Sequence, residues 1–215
     1  VAIGDLSLYD GTGPDGSLPE ATETHDATGR IVCPGFVDPH THYDAQLFWD
    51  PWATPSSQHG ITSLVMGNCG FTIAPIADQS DADYLASMLV KVEGMSPAAL
   101  AEGLDWDWRT FGEFLDRFEG NLGVNVAGMV GHNAIRRTVM KDDATSREAT
   151  ADELDAMKAL LAESLAAGGL GFSTSRSFTH SDGDGLPVPS RTAAADEVEA
   201  LCAVVADHPG TTLEW

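Results

Sequence analysis

Short apolar runs without polar alternation punctuate the chain after residue 34, and each ends in a polar, glycine-rich turn. They cover residues 35–38, 62–67, 124–131, 169–173 and 211–213. Such runs are typical of parallel strands, which are covered on both faces. The pattern therefore predicts four complete parallel strands and the start of a fifth.

Amphipathic helical segments lie between these runs. Thr150 and Glu153 form a capping box, and apolar residues then repeat at helical spacing as far as Gly168. Another capped helix begins at Thr110, and a further one covers residues 196–206. Because strands and helices alternate at this spacing, we predict an α/β fold with a parallel sheet or barrel.

Two segments depart from the alternation. Residues 1–34 contain short strand-like stretches and turns, which predicts a small β segment before the barrel portion at 35–215. Residues 78–121 are too long for a single crossover, so we interpret them as a helical insertion. Both ends of the chain resemble interrupted strands, and we expect the sequence to be a fragment of a longer protein.

Composition and charge restrict the classes of protein. The chain has 215 residues, of which 43% are hydrophobic, and this is enough for a sizeable core. A net charge of -22 repels phosphate groups, which argues against nucleic acid and against anionic membranes as partners. No apolar run reaches the roughly 18 residues of a membrane helix. Three cysteines do not form a disulfide framework, so we expect a reducing, cytoplasmic location.

A histidine pair follows the first predicted strand. In the segment 38–42, alternate residues of an extended chain share a face, so His40 and His42 point the same way as Asp38. Two imidazoles at the carboxyl end of a barrel strand provide half of a metal cage. The alternative is a surface histidine pair at the start of a loop.

A cysteine follows the second predicted strand. Cys69 lies within a Gly-Asn-Cys-Gly turn and could approach a metal as a thiolate. The alternative is a small buried cysteine in a tight turn. Cys33, at a strand entry, and Cys202, on the apolar face of a helix, are interpreted as structural.

Two further polar residues follow later strands. His132 comes at the end of the third strand and could bind substrate, ligate a metal or orient a ligand. Arg176 follows the fourth strand and is a candidate clamp for a substrate carboxylate. Arg136, close to His132 in the chain, could also pair with a substrate carboxylate. The alternatives for His132 and Arg136 are a loop histidine and a solvated arginine.

Together, these residues carry a family resemblance. The segment PGFVDPHTH (34–42) resembles the first-strand signature of the amidohydrolase superfamily. Other segments resemble the N-acyl-D-amino-acid deacylase (D-aminoacylase) group within it, and these are GNCG (67–70), VEG (92–94), WDW (106–108), GH (131–132) and GFST (171–174). The likeness runs from about residue 20 to the end.

The resemblance implies a metal-bearing (β/α)₈ barrel preceded by part of a small β-sandwich, with zinc as the cofactor. His40, His42 and Cys69 match the ligand positions of the family. Many members of the superfamily carry a bridging lysine after strand four. The segment 171–176 contains no lysine, which argues against a hydantoinase or a dihydroorotase.

The implied function is zinc-dependent cleavage of a linear C–N amide bond in a small N-acylated D-amino acid. The resemblance places the remaining ligands and the catalytic carboxylate after Trp215, so residues 1–215 alone are expected to be inactive. Two alternatives stay open. One is an amidohydrolase with another C–N substrate, and the other is a truncated, non-catalytic chain.

Overall fold

The computed structural model describes residue 23 and residues 25–215, and the chain divides into two compact units after Gly35. In the first unit, residues 28–30 form a turn and bend, and the other described residues are irregular. Most of the segment predicted to belong to a β-sandwich, residues 1–22 and 24, lies outside the described residues.

Five parallel strands form a curled sheet in the second unit, and their order in the sheet follows the chain. The strands are β1 (Phe36–Asp38), β2 (Ile61–Met66), β3 (Asn125–Gly131), β4 (Gly171–Ser173) and β5 (Thr212–Glu214). This half-barrel sheet confirms the predicted fold class. Each strand lies within one or two residues of its predicted apolar run.

Helices occupy every crossover after β2. They are α1 (Gln79–Glu93), α2 (Pro97–Gly103), α3 (Phe111–Asp116), α4 (His132–Met140), α5 (Ala151–Ala166) and α6 (Ala195–Ala206). The capping boxes at Thr110 and Thr150 are both formed, as the sequence predicts. None of the helices in the part of the chain that the structure describes combines the length and the hydropathy of a membrane span.

Residues between β2 and β3, together with Phe48 before β2, contribute an aromatic cluster to the core. Trp108, Phe111 and Phe114 are at most 1% exposed, and Phe48 stacks on Trp108 with ring centroids 5.1 Å apart. The indole Nε1–H of Trp108 donates to the carbonyl of Ile73 at 2.9 Å. This satisfies the only polar atom of the buried ring and anchors the chain that leaves the Cys69 turn.

The connection after β3 excludes the alternatives of a loop histidine at 132 and a solvated arginine at 136. The chain passes from β3 straight into α4, so that His132 is the first residue of a helix instead of part of a loop. His132 is 0% exposed, and its Nδ1 and Nε2 lie 2.8 Å from Thr174 Oγ1 and Glu197 Oε1. The side chain is therefore held inside the fold.

Glu197 joins His132 to a buried cation. The Arg136 guanidinium is 0% exposed and donates to Glu197 Oε2, and it also donates to the Ala144 and Arg147 carbonyls. Burial acts to raise the pKa of Glu197, but the hydrogen bonds from His132 and Arg136 outweigh it and lower the pKa. The ionised carboxylate thereby links α6 to two residues of α4, and His132 extends the network to Thr174 after β4.

Replacement of Glu197 tests the importance of this buried network. Glu197→Gln should lower the free energy of unfolding by about 3–5 kcal/mol, because it leaves the Arg136 charge buried without a counter-charge. Urea denaturation at neutral pH measures the change.

The matched control is Glu199→Gln, which removes the same charge from an exposed position on the same helix. A surface change of this kind should alter stability by less than about 0.5 kcal/mol. Equal stability of the two variants would contradict a structural role for the network.

Candidate metal centre

The structure brings His40, His42 and Cys69 together at the carboxyl edge of the sheet. One potential ligand atom from each residue lies within 4.8 Å of the other two. Cys69 Sγ lies 3.3 Å from His40 Nε2. This proximity arises because β1 and β2 are paired in parallel, so the residues that follow them emerge at the same edge.

The histidine pair is oriented by the residues around it. Thr41, between the two histidines, donates its N–H and its hydroxyl to the Val65 carbonyl at 2.9 and 2.7 Å. These two bonds hold the backbone between the histidines against β2. The imidazole rings meet edge to face with centroids 5.5 Å apart.

The Cys69 turn has an unusual backbone. Gly67 has a φ of 79°, and a Cβ added there would lie 2.5 Å from the Met129 carbonyl oxygen, so only glycine fits. Cys69 itself has a φ of 56°, which is unfavourable for a residue with a side chain. Strained residues of this kind cluster at functional sites, where the surrounding structure holds them.

Hydrogen bonds from neighbouring strand ends hold this turn. The Asn68 side-chain amide donates to the carbonyls of Thr41 and Val65 at 3.1 and 3.0 Å. Ser173, the last residue of β4, accepts from the Gly70 N–H at 3.0 Å and donates to the Gly67 carbonyl. The thiol position is thus fixed by residues after β1 and in β4.

Two carboxylates face the imidazoles. Glu214 Oε1 lies 3.6 Å from His40 Nδ1, and Glu93 Oε1 lies 3.6 Å from His42 Nε2. Reasoning from the sequence did not assign a role to either glutamate. Glu93 ends α1 and Glu214 ends β5, and no short-range spacing relates them to the histidines.

The electrostatics favour neutral side chains in the absence of a cation. Burial raises the pKa of the Cys69 thiol to about 11, and the Glu214 and Glu93 carboxylates act in the same direction. Burial lowers the pKa of His42 to about 4, with contributions from His40 and His180. Near pH 7, His42 is therefore an unprotonated nitrogen donor, and Cys69 carries a proton that a metal would displace.

The donor set suits a borderline-soft divalent cation. Two imidazole nitrogens and one sulfur are typical zinc ligands, and three protein ligands leave room for further coordination. The buried Nδ1 of His42 has no hydrogen-bond partner among the described residues. The residues present therefore fit a zinc ion.

The structure does not bring the two predicted substrate-binding residues into this cluster. His132 is enclosed by Thr174 and Glu197, as described above. Arg176 is exposed, and its guanidinium donates to the Ala193 carbonyl. Their roles in substrate binding remain predictions.

Comparison with known proteins places the chain in a family. Residues 23–214 match the amidohydrolase family, and the chain belongs to it. It is 33% identical to a D-aminoacylase from Alcaligenes xylosoxydans xylosoxydans over 212 residues, which are 98% of this chain and 37% of that protein. An N-acyl-D-aspartate deacylase from the same organism is 35% identical over 82% of this chain and 31% of its own length.

Solved structures give the same result. A D-aminoacylase with a binuclear metal centre superposes with a TM-score of 0.64 at 35% identity, over 82% of this chain and 33% of its own. An N-acyl-D-glutamate deacylase from Bordetella bronchiseptica, complexed with zinc and a phosphonate inhibitor, gives a TM-score of 0.60 at 30% identity, over 85% and 34% of the respective chains. The chain thus spans about a third of the length of these relatives.

The raised pKa of Cys69 predicts that zinc binding releases protons. At pH 7 the thiol must lose its proton to become a ligand, whereas His42 has none to lose. Wild-type protein should therefore release about one proton more per bound zinc than Cys69→Ala. This one proton should make the apparent zinc affinity of the wild type rise by about tenfold more per pH unit than that of the variant.

Calorimetric titrations with zinc in buffers of different ionisation enthalpy count these protons. The comparison with Cys69→Ala separates the thiol from zinc-bound water, which can also ionise near neutral pH. Equal proton release by the two proteins would show that Cys69 is not a ligand.

Proposed function

We propose that this chain provides two imidazoles and one thiolate to a zinc centre that hydrolyses the amide bond of N-acylated D-amino acids. The observation that carries the proposal is the convergence of His40, His42 and Cys69 within 4.8 Å at the carboxyl ends of adjacent barrel strands. That edge is where barrel enzymes place their active sites.

The relatives support the substrate class. Those described above are named for the deacylation of N-acyl-D-amino acids. Because the chain spans about a third of their length, the activity, the substrate and the small-molecule partner of the whole protein all belong to this proposal.

The end of β4 favours a thiolate site over a carboxylated-lysine site. Ser173 and Thr174 occupy this end, and both are buried. Lys91 and Lys158 lie within helices, and Lys141 follows α4 and pairs with Asp78 and Asp81. The end of β4 therefore offers no lysine to bridge metals, and the proposed site takes its anionic ligand from Cys69.

Each residue has a defined part in the proposed reaction. When bound, zinc supplies Lewis acidity and lowers the pKa of a water molecule. His40, neutral His42 and the Cys69 turn would hold the cation at the strand edge. A carboxylate acts as general base: it accepts a proton from water and then gives it to the leaving amine. The family resemblance places this carboxylate outside the present sequence.

Cysteine substitutions in the intact protein separate a ligand from a structural thiol. Cys69→Ala should lower zinc affinity by roughly 100-fold or more, since loss of even an outer partner of a ligand costs 10–100-fold. Turnover should fall with it. Cys202→Ala changes a partly exposed thiol on α6 and should leave zinc content and turnover unchanged. Equal zinc affinity and equal turnover in Cys69→Ala and Cys202→Ala would contradict the proposed role of Cys69.

The substrate class is tested by a panel assay of the zinc-loaded intact protein. We expect hydrolysis of N-acetyl-D-amino acids and much slower hydrolysis of their L enantiomers and of cyclic amides. A preference for a hydantoin or an L substrate would favour an amidohydrolase with another C–N substrate. Absence of turnover with zinc bound would favour the non-catalytic alternative.

A further inference from the structure

Glu214 lies beside two of the proposed metal ligands, His40 and Cys69. Its Oε2 accepts a hydrogen bond from the Cys69 backbone N–H at 2.7 Å, and its Oε1 lies 3.6 Å from His40 Nδ1. One carboxylate thus contacts the histidine that follows β1 and the cysteine that follows β2. No other described acidic residue has both contacts.

The Glu214 side chain projects from a well-fixed position. Glu214 pairs with Ser173 in the register of β4 and β5, and its carbonyl accepts from the Thr174 N–H at 3.0 Å. The side chain is 20% exposed. Its carboxylate is therefore held by the sheet and partly withdrawn from water, which strengthens its interaction with the imidazole.

We propose that Glu214 is a positioning residue, which orients His40 and Cys69 for metal binding. This inference rests on the proposed zinc site. His40 Nε2 faces Cys69 Sγ at 3.3 Å, whereas Nδ1, at the other side of the ring, faces Glu214. Nε2 is therefore the ligand atom in the proposed site. Nδ1 carries the proton there and faces the carboxylate, which lies 3.6 Å away in the structure, just beyond hydrogen-bond distance.

The arrangement has a general physical basis. A carboxylate that accepts the free N–H of a metal-bound imidazole fixes the tautomer and the ring orientation, and it makes the ligand nitrogen more basic. The second oxygen of Glu214 supports Cys69, whose φ of 56° is unfavourable without such support. The same group therefore acts on both ligands.

Glu214 is not itself placed as a ligand. If Nε2 of His40 and the sulfur bind one ion, that ion lies on the Nε2 side of the ring, away from the Glu214 oxygen at Nδ1. The other oxygen is engaged by the Cys69 N–H. Oε2 thus has a hydrogen-bond partner, Oε1 faces Nδ1 of His40, and Glu214 is not part of the group of potential ligand atoms that lie within 4.8 Å of one another.

Glu214→Gln in the intact protein tests the proposal, with Glu163→Gln as control. Glutamine retains one carbonyl oxygen and cannot serve both His40 and Cys69 with a charged acceptor. Glu163 is exposed on α5, so its substitution removes the same charge far from the strand ends. Zinc affinity is measured by competition with a chelator, and thermal unfolding of the metal-free proteins is measured in parallel.

We expect Glu214→Gln to bind zinc 10–100-fold more weakly than wild type, with little change in the unfolding midpoint of the metal-free protein, and Glu163→Gln to match wild type. A zinc affinity of Glu214→Gln within threefold of that of Glu163→Gln would overturn the proposal. A loss of zinc affinity that is accompanied by an equivalent loss of stability in the metal-free protein would also overturn the proposal. Glu214 would then have only a structural role.

The tautomer of His40 provides an independent readout. In nitrogen-15 NMR spectra of the zinc-loaded wild type, His40 should carry its proton on Nδ1. A proton on Nε2 would make Nδ1 the ligand and exclude the hydrogen bond to Glu214. If wild-type protein does not bind zinc through Cys69, the proposed function fails. If wild type binds zinc and Glu214→Gln binds equally well, only this inference fails.

Discussion

The parallel alignment of neighbouring strands is the constraint on which the site depends. Parallel pairing in sequence order brings the carboxyl ends of β1, β2, β4 and β5 to one edge of the curled sheet. His40, Cys69, Ser173 and Glu214 are far apart in sequence, yet their contacts follow from this alignment. An antiparallel arrangement would send successive strand ends to opposite edges.

The strand ends that carry the proposed ligands are also held by hydrogen bonds within the fold. The Cys69 turn adopts a left-handed backbone. The Asn68 side chain donates to the Thr41 carbonyl, and Glu214 and Ser173 accept from the N–H groups of Cys69 and Gly70, which holds the turn in place. Deeper in the fold, Glu197 neutralises Arg136 and fixes His132 behind the end of β3. Rigid support of this kind keeps ligand side chains in place before the cation arrives, which lowers the entropy lost on binding.

Local sequence patterns could predict the strands and the histidine pair, because both depend on neighbours in the chain. Alternation places His40 and His42 on one face, and an apolar run marks each strand. The same reasoning could not distinguish a loop from a helix after β3, so the burial of His132 and its contact with Glu197 were missed. The Glu214 contacts depend on the pairing of β5 with β4, which local spacing does not encode.

The central claim is that His40, His42 and Cys69 bind one metal ion. X-ray absorption at the zinc edge of the intact, zinc-loaded protein tests it most directly. We expect one sulfur at about 2.3 Å, together with imidazole nitrogens at about 2.0–2.1 Å, and loss of the sulfur signal in Cys69→Ala. A wild-type spectrum with nitrogen and oxygen ligands but no sulfur would contradict it.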